Sequence, residues 1–345
     1  MGPIADMLAN PGKGLQLLYI TPLRALSRDI EKSIQTPITD MGWPLQVESR
    51  TGDTKASQKT RQKKKLPEIL ITTPESLSVL LSYKGAQQRF GSLRTVILDE
   101  WHELMSSKRG TQTELCLAQL RLLQPALKTW AISATLGNLE EAAHTAVGSG
   151  ANPVIIQSDI RRDTHIRSIL PESVDSFPWA GHLGLHLFQE LVDSLDPKKS
   201  TLIFTNTRSQ AERWFQALSF AAPECPMALH HGSINMTERQ AIEAGIKRGD
   251  LKWVICTSSL DLGVDFHPVE RIVQIGSAKN LARLLQRAGR SAHQPGGTSE
   301  VFFLPTNALE LIEIAAFRQG LASGDIESRY ALRLPYDVLV QHLVT

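Results

Sequence analysis

Two observations predict an α/β fold made of two tandem parallel-sheet domains. Short apolar segments alternate with amphipathic ones along most of the chain, a rhythm typical of parallel strands joined by helices. The rhythm fades between residues 158 and 182, where Pro171 and Pro178 occur, and then restarts. The length of 345 residues and the 42% hydrophobic content suffice for two packed cores.

The boundaries follow from this rhythm. We predict a first domain over residues 1–157, a connection over 158–182, a second domain over 183–312 and the beginning of a further region over 313–345. Strands are predicted at 15–20, 47–51, 68–72, 96–98, 130–135, 201–205, 227–230, 253–256, 271–275 and 300–304. Helices are predicted between them, one of them capped by Thr237, whereas the first ten residues carry no clear signal.

Composition limits the class of protein. The net charge of +2 is nearly neutral, so nucleic-acid binding would depend on local basic patches. Cys116, Cys225 and Cys256 are isolated, which favours a reducing compartment and argues against a zinc site or a disulfide framework. No signal-like segment and no apolar run of membrane-spanning length occurs, and we expect a soluble, cytoplasmic protein without a membrane partner.

One segment delivers two acids to the end of a predicted strand. Val96, Ile97 and Leu98 run directly into Asp99 and Glu100, and open parallel sheets bind ligands at this carboxyl edge. An acid there can hold a magnesium ion through its waters while its neighbour deprotonates an attacking water, as nucleotide hydrolysis requires. We therefore assign Asp99 to the metal and Glu100 to the base. The alternative is a strand that ends in a solvated Asp-Glu turn.

Two further junctions and a basic run concern phosphate binding. The segment 21–26 (TPLRAL) offers backbone N–H groups and Arg24 to a phosphate, although an ordinary strand-to-helix turn explains it as well. Thr73 as N-cap and Pro74 at the first helical position predict a helix start. Residues 55–65 (KASQKTRQKKK) form either a solvated helix face or a surface that follows a nucleic-acid backbone.

The segment 280–290 (NLARLLQRAGR) carries cations at helical spacing. Arg283, Gln286, Arg287 and Arg290 recur at i, i+3, i+4 and i+7, so we predict that they share one face of a helix over 281–290. This face would suit a triphosphate, because arginine binds phosphate oxygens in a forked geometry and stabilises transition-state charge. A basic surface helix without a ligand is the alternative.

Nine motifs in order carry a resemblance to a known family. They are TPLRAL (21–26), TGDT (51–54), TTPESL (72–77), DEWHEL (99–104), SATLGN (133–138), FTNTRSQAE (204–212), HHGS (230–233), CTSSLDLGVDF (256–266) and QRAGRSAH (286–293). This set resembles the superfamily 2 helicases, and among them the Lhr-type enzymes. DEWHEL and SSLDLGVDF are similar to the ligase-associated DEXH-box branch.

The resemblance implies two RecA-like domains with ATP and Mg²⁺ in the cleft between them. Asp99 would contact the magnesium ion and Glu100 would be the catalytic base. His102 would link the nucleotide to the second domain, and Ser133 and Thr135 would couple hydrolysis to domain movement. The remaining nucleotide contacts implied are Gly263 and Asp265 in the cleft, and Gln286, Arg287 and Arg290 at the γ-phosphate, with Arg290 as the arginine finger.

The resemblance also implies a single DNA strand across both domains, movement from 3′ to 5′, and single-stranded or forked DNA as the substrate. The branch adds a DNA ligase and a nuclease as partners and DNA repair as the context. The residues implied to contact the DNA backbone are Pro22, Arg24, Thr51, Gly52, Thr73 and Pro74 in the first domain, and Thr205, Asn206, Arg208, Gly232 and Thr257 in the second.

Three departures from the family follow. The phosphate-binding loop, GxxxxGK before Ser or Thr, is absent, since Gly12-Lys13 precedes its strand instead of following one. We expect the first sheet to lack the strand of this loop and to expose apolar surface and strand edges. Ala292 stands where the family usually has Gly, and His293 where many helicases have Arg. Residues 335–343 resemble the opening of the family's winged-helix domain, so we interpret the chain as a core truncated at both ends.

Two classes of function stay open. One is an ATP-dependent DNA helicase whose present chain is incomplete, which the acids and the arginine segment favour. The other is a nucleic-acid-binding fragment that does not hydrolyse ATP, which the missing loop favours. An RNA helicase is a more distant alternative, because the motif is DEWH instead of DEAD.

Overall fold

The chain folds into two compact units, one formed by residues 1–156 and 328–345 and the other by residues 157–327. The structure is a computed structural model that describes residues 2–134, 136–148, 150–158, 163–171, 177–179, 181, 183–261, 269–291 and 298–344. Each unit contains one sheet, and all strand pairs of both sheets in these ranges are parallel. This confirms the predicted fold class of two parallel-sheet α/β domains.

The first unit has a five-stranded sheet in the order β2-β3-β1-β4-β5. Its strands are β1 Leu17–Ile20, β2 Val47–Arg50, β3 Ile69–Thr72, β4 Thr95–Leu98 and β5 Lys128–Ala131. The three interior strands are buried almost throughout, which explains why their sequences are continuous apolar runs. Alternate side chains enter opposite cores, Leu18 and Ile20 one and Leu17 the other.

Strand β5 lies at one edge of this sheet and is largely exposed. It pairs with β4 alone among the described strands, and Trp130 and the adjacent Ile132 are each 48% exposed. Apolar side chains at a free strand edge agree with the exposure predicted for the first sheet.

Helices cover both faces of the first sheet. They are α1 Gly2–Ala9, α2 Arg24–Asp40, α3 Ala56–Lys64, α4 Pro74–Ser82, α5 Ala86–Phe90, α6 Trp101–Met105, α7 Lys108–Leu123 and α8 Leu139–Val147. Side chains of α1 and α2 fill one core, and side chains of α4, α6, α7 and α8 fill the other. Helix α1 was missed by sequence analysis, although Ile4 and Met7 are buried.

The second unit has a six-stranded sheet in the order β6-β11-β10-β7-β9-β8. Its strands are β6 Asp163–Ser168, β7 Thr201–Phe204, β8 Met227–His230, β9 Trp253–Cys256, β10 Arg271–Ile275 and β11 Thr298–Leu304. Its α-helices are α9 Phe188–Ser194, α10 Arg208–Ala221, α11 Met236–Arg248, α12 Leu281–Ala288 and α13 Leu309–Ser323. Two apolar cores again lie on opposite faces of the sheet.

Several predicted boundaries are wrong. The strand predicted at 130–135 is β5 at Lys128–Ala131, so Ser133 follows the strand instead of ending it. The segment 158–182, predicted as a connection, contains β6, which pairs with β11 and belongs to the second sheet. Its sequence DTHIRS is mostly polar because the strand lies at the edge, so the apolar rhythm did not reveal it. Helix α12 ends at Ala288, before the predicted residue 290. Helix α11 is capped by Asn235, which accepts a hydrogen bond from the Glu238 N–H at 2.9 Å, and not by Thr237.

The last part of the chain does not form a separate region. Helix α13 completes the second unit, and residues 328–344 belong to the first. There α14 Tyr336–Val344 packs on α7, and Lys108 of α7 forms an ion pair with Asp337. Among the described helices, none is both long and apolar enough to cross a membrane.

Candidate functional site

The carboxyl edge of the first sheet collects most of the predicted residues of that unit. Because all its strands are parallel, the residues that follow each strand lie along one edge. These are residues 21–22 after β1, 51–52 after β2, 73–74 after β3, 99–100 after β4 and 133 shortly after β5. Residues more than 100 positions apart in the sequence therefore lie along the same edge of the sheet.

Asp99 follows β4, which lies between β1 and the edge strand β5. Its N–H donates to the Ile20 carbonyl at 2.8 Å, and its Oδ1 accepts the Glu100 N–H at 3.0 Å. Burial raises the pKa of Asp99, while hydrogen bonds from Tyr19 and from the Glu100 N–H act in the opposite direction. The charge of this carboxylate is therefore incompletely compensated within the protein. A magnesium ion, which binds through one or two carboxylates and keeps several waters, fits that environment.

Glu100 sits on a strained turn. Its backbone is left-handed, with φ 48° and ψ 46°, directly before α6, and this conformation costs a non-glycine residue about 1–2 kcal/mol. The next residue holds the turn in place. The Trp101 N–H donates to the Ile132 carbonyl at 2.9 Å, and its buried indole donates to the Ala142 carbonyl at 3.0 Å. The strain thus lies at the residue predicted to be the base.

His102 is buried beneath Glu100 and is 3% exposed. Its Nδ1 accepts the Ala134 N–H at 3.2 Å, so the ring proton lies on Nε2. That nitrogen is 3.6 Å from one carboxylate oxygen of Glu100 and of Glu103. Burial, and to a lesser degree the positive charge of Arg329, lowers the pKa of His102 to about 4. The ring is therefore neutral at physiological pH.

Ser133 joins His102 to the segment after β5. Its Oγ lies 3.2 Å from Nδ1 of His102 and donates to the Ala134 carbonyl at 2.8 Å. The structure thus brings DEWHEL and SATLGN into direct contact, as a coupling role would require. Thr135, the other residue assigned to coupling, lies outside the described residues.

Asn138 of the SATLGN motif holds a segment that sequence analysis did not connect with this site. Its Nδ2 donates to the Arg329 carbonyl at 2.7 Å, and its Oδ1 accepts the Arg329 N–H at 2.9 Å. The guanidinium of Arg329 lies 3.7 Å from Glu103. Residues that are 191 positions apart in the sequence therefore meet beside α6, and the only sequence signal was Asn138 itself.

The TPLRAL and TGDT segments also meet at this edge. Arg24 is exposed and donates to Asp53 at 2.9 Å. A Cβ at Gly52 would lie 2.7 Å from the guanidinium carbon of Arg24, so a larger residue at position 52 would displace that side chain. Since exposed ion pairs contribute little, about 0–1 kcal/mol, the guanidinium is available to an anion.

Several predicted DNA contacts have buried side chains. Thr51 and Thr73 use their hydroxyl groups locally, Thr51 accepting the Asp53 N–H at 3.2 Å and Thr73 bonding Ser76 at 3.4 Å. Contact at these positions is therefore restricted to backbone groups, and the side chains hold the loops in shape. The predicted residues buried in this way are Pro22, Thr51, Thr73, Pro74 and Thr205.

The second sheet presents its predicted contacts in the same manner. Asn206 and Arg208 follow β7 and Gly232 follows β8, and all three are exposed. Thr257 follows β9 and is partly buried, and its N–H donates to the His230 carbonyl at 3.3 Å. The parallel order of the strands again places these residues along one edge.

Arg287 does not have the environment that was predicted. It is 2% exposed and donates to both carboxylate oxygens of Asp261, at 2.8 and 3.1 Å, and to Gln274. Its guanidinium also lies 4.6 Å from the ring centre of Phe204. The prediction that Arg287 faces a γ-phosphate is wrong, because its donors are used inside the unit.

The other residues of this segment are distributed differently from the prediction. Helix α12 ends at Ala288, so Arg290 lies beyond it and the predicted single face is not formed. Gln286 is partly buried, and its Nε2 has no hydrogen-bond partner among the described residues. Gln286 and Arg290 remain predictions. Gly263 and Asp265, together with Ala292 and His293, lie outside the described residues.

Gly12-Lys13 is excluded as a phosphate loop by its position. It lies directly before β1 and hence at the amino edge of the first sheet, opposite Asp99. The Gly12 carbonyl accepts a hydrogen bond from the Gln16 side chain at 2.9 Å. This agrees with the conclusion drawn from the order of strand and motif.

Comparison with known proteins identifies the family. The model described as DEAD/DEAH box helicase matches residues 1–142, and the model described as Helicase conserved C-terminal domain matches residues 185–294. The ATP-dependent helicase Lhr-Core of Methanocaldococcus jannaschii is 34% identical over 342 residues, covering 96% of this chain and 40% of that protein. The chain belongs to the Lhr-like helicases of superfamily 2.

Other Lhr proteins share this similarity. The solved structure of Mycobacterium smegmatis helicase Lhr bound to ssDNA and AMP-PNP has a TM-score of 0.83 and 31% identity, covering 99% of this chain and 46% of that chain. Lhr helicase/uracil glycosylase of Escherichia coli is 30% identical, covering 97% of this chain and 25% of that protein. The chain thus spans less than half the length of these relatives. Assignment to the ligase-associated branch stays a prediction.

Proposed function

We propose that the protein is an ATP-dependent DNA helicase or translocase that moves from 3′ to 5′. The observation that carries this proposal is the arrangement of Asp99, Glu100, His102 and Ser133 at one sheet edge. The carboxyl edge of an open parallel sheet suits a nucleotide, and the M. smegmatis relative was solved bound to ssDNA and AMP-PNP.

In the proposed reaction Asp99 and Glu100 divide two tasks. Asp99, fixed by the Ile20 carbonyl and the Glu100 N–H, would hold Mg²⁺ through its waters. The ion, when bound with ATP, neutralises charge on the phosphate oxygens. Glu100 would orient the attacking water and take its proton. The left-handed turn supports this role, because it holds the carboxylate at the end of β4 before α6 begins.

His102 would transmit the state of the site to the segment after β5. A neutral ring presents Nε2–H towards Glu100 and Nδ1 towards Ser133 and Ala134. Movement of the Glu100 carboxylate would therefore change the environment of the SATLGN segment. This supports the proposed coupling role of Ser133, and we extend it to Thr135 by its place in the same motif.

The DNA strand would contact the exposed groups at both sheet edges. Arg24 and Gly52 of the first unit and Asn206, Arg208 and Gly232 of the second are exposed, and Arg24 and Arg208 offer charge to phosphates. The buried threonines and prolines would shape these loops, since Pro22 and Pro74 have no backbone N–H and the N–H groups of Thr51 and Thr205 donate to the Thr54 hydroxyl and the Cys256 carbonyl. Phosphate contacts of this kind position a strand without selecting its sequence.

The nucleotide contacts proposed for the second unit are Gln286 and Arg290, with Arg290 as the finger. Arg287 is withdrawn from this set, and Gly263 and Asp265 are retained on the motif resemblance alone. DNA repair, with a DNA ligase and a nuclease as partners, is the context that we propose from the branch resemblance.

Unwinding of tailed duplexes tests the proposal. The protein should separate a duplex with a 3′ single-stranded tail in the presence of ATP and Mg²⁺. A duplex with a 5′ tail of the same sequence serves as the control and should remain paired. Equal unwinding of both duplexes, or unwinding without ATP, would contradict the proposed motor. Preference for a duplex with an RNA tail would favour the RNA helicase alternative.

A further inference from the structure

Helix α3 concentrates positive charge beside a predicted DNA contact. Between Arg50 and Lys65 the chain has seven lysine and arginine residues and one acid, Asp53, whereas the whole chain has a net charge of +2. Asp53 is already paired with Arg24. The segment therefore carries a large excess of positive charge, which could bind an anion.

The helix has one face that packs and one that is free. Gln58 and Gln62 donate to the Ser49 carbonyl at 3.4 and 3.3 Å, and Gln62 also donates to Glu48 at 2.8 Å. Arg61 forms an ion pair with the same Glu48. These contacts fix α3 against β2, and they leave Glu48 already paired with Arg61 and Gln62.

Lys55, Lys59 and Lys63 form a second row, which we call the lysine stripe. They recur every four residues and so follow one face of the helix over about 12 Å. Lys59 Nζ donates to the Gly52 carbonyl at 2.8 Å and keeps two further donors. Lys63 Nζ lies 4.7 Å from the centre of the Tyr83 ring. One end of the stripe is thus continuous with the Gly52 loop, and Tyr83 positions the other.

The solvated-face alternative explains only part of this pattern. Cations in the last turn of a helix are stabilised by its dipole, which accounts for Lys63 and Lys64. The same dipole disfavours Lys55 and Lys59 near the amino end, and α3 contains no acid to pair with them. Neither Lys55 nor Lys63 forms an ion pair with any residue that the structure describes. Three like charges at this spacing repel each other, and an external polyanion would relieve the repulsion.

We propose that the lysine stripe is a phosphate-binding surface that extends the path of single-stranded DNA beyond Gly52 along α3. This inference rests on the proposed function, because Gly52 and Arg24 define where the strand would enter. Because phosphate contacts carry no sequence information, the stripe would raise affinity for single strands of any sequence.

The salt dependence of DNA binding tests this inference. The logarithm of the association constant of the chain for fluorescein-labelled oligothymidylate is measured against the logarithm of NaCl concentration. Each phosphate contact to a single strand contributes about 0.7 to the slope. The variant Lys55→Gln, Lys59→Gln, Lys63→Gln should reduce the magnitude of the slope by about 2. The charge-retaining variant with Arg at the same three positions should keep the slope.

A matched control removes the same charge elsewhere. Lys13, Lys32 and Lys128 are exposed, and Lys13 and Lys128 flank the amino edge of the first sheet. Their triple Gln variant should keep the slope of the parent chain. Equal slopes for the stripe variant and this control would overturn the inference. The double variant Arg24→Ala, Arg208→Ala should weaken DNA binding whether or not the stripe contacts DNA. If binding weakens in this variant and not in the stripe variant, the stripe inference fails and the proposed function is retained. No binding by the parent chain would contradict both.

Discussion

Arg287 and Asp261 form a buried, two-pronged ion pair inside the second unit, with N–O distances of 2.8 and 3.1 Å. The pair ties α12 to the loop after β9. That loop begins with Thr257, a proposed DNA contact, and α12 carries Gln286, a proposed nucleotide contact. The ion pair therefore fixes two parts of the candidate site relative to each other within one unit.

Removing Arg287 should destabilise the second unit. Arg287→Ala leaves Asp261 buried with its charge largely uncompensated, and breaking a buried pair in this way costs about 3–5 kcal/mol. Arg283→Ala is the matched control, because Arg283 is 25% exposed and lies 3.6 Å from the same carboxylate; its cost should be below about 1 kcal/mol. Urea unfolding followed by tryptophan fluorescence measures both. Equal costs for the two variants would show that the buried pair is not the main support.

Substitution of Arg290 should lower ATP turnover more than it lowers stability. If it is the arginine finger, Arg290→Ala in the full-length gene product lowers ATP turnover by about a thousandfold or more. Its Tm should fall less than that of Arg287→Ala, since Arg290 is only partly buried. Steady-state ATP hydrolysis and a thermal melt on the same preparation separate the two effects. An unchanged turnover number would remove Arg290 from the catalytic set.

The stability of the first unit should depend on pH through two groups with opposite signs. The pKa of His102 is lowered from 6.5 to about 4, so between these values the unfolded chain binds a proton that the folded chain does not. Its contribution to stability therefore falls as the pH falls. Burial raises the pKa of Glu114 from 4.5 to about 7, so in that range the folded chain keeps a proton that the unfolded chain has lost. Its contribution falls as the pH rises.

Thermal melts from pH 4.5 to pH 8 on two variants check these signs. His102→Gln should flatten the decrease of Tm on the acid side. Glu114→Gln should raise Tm at pH 8 relative to the parent and leave it nearly unchanged at pH 4.5. A parallel shift of Tm at every pH in either variant would mean that the substitution acts through packing and not through protonation.

The two hydrogen bonds between the Asn138 side chain and the Arg329 backbone should hold the segment 328–334 to the first unit. Asn138→Ala removes both hydrogen bonds to the Arg329 backbone, worth about 1–3 kcal/mol together. We expect faster proteolysis near Arg329 and faster exchange of its amide hydrogen. Asn138→Asp keeps the acceptor for the Arg329 N–H and should be intermediate. Exchange as slow as in the parent would show that α14 alone anchors the segment.

Most interior strands could be predicted from the sequence, because a strand buried on both faces must be apolar throughout. The interior strands at 253–256 and 271–275 have the predicted bounds, and so has the edge strand at 227–230. Strand β6 could not be found in this way, since its polar sequence reflects an edge position that only the folded sheet defines. Helix α1 is short, and its apolar residues include a proline, so no periodic signal marks it.

The site was predictable where chain order alone determines position. Asp99 and Glu100 follow an apolar strand, and any parallel sheet places such residues at the carboxyl edge. The direction of a side chain is a different matter. Helical spacing placed Arg287 with Gln286 and Arg290, but its burial depends on Asp261, which comes from another loop. Arg329 was missed for the same reason, because its contact with Asn138 spans 191 residues of sequence.

ATP hydrolysis stimulated by single-stranded DNA, measured for the full-length gene product and its Glu100→Gln variant, tests the central claim most directly. Gln keeps the size of the side chain but cannot take a proton from water. We predict hydrolysis by the parent protein that DNA accelerates, and a rate at least about a hundredfold lower in the variant, with DNA binding retained. Equal rates in the two proteins, or a rate that DNA does not change, would contradict the assignment of this sheet edge as the ATP-hydrolysis site of a helicase.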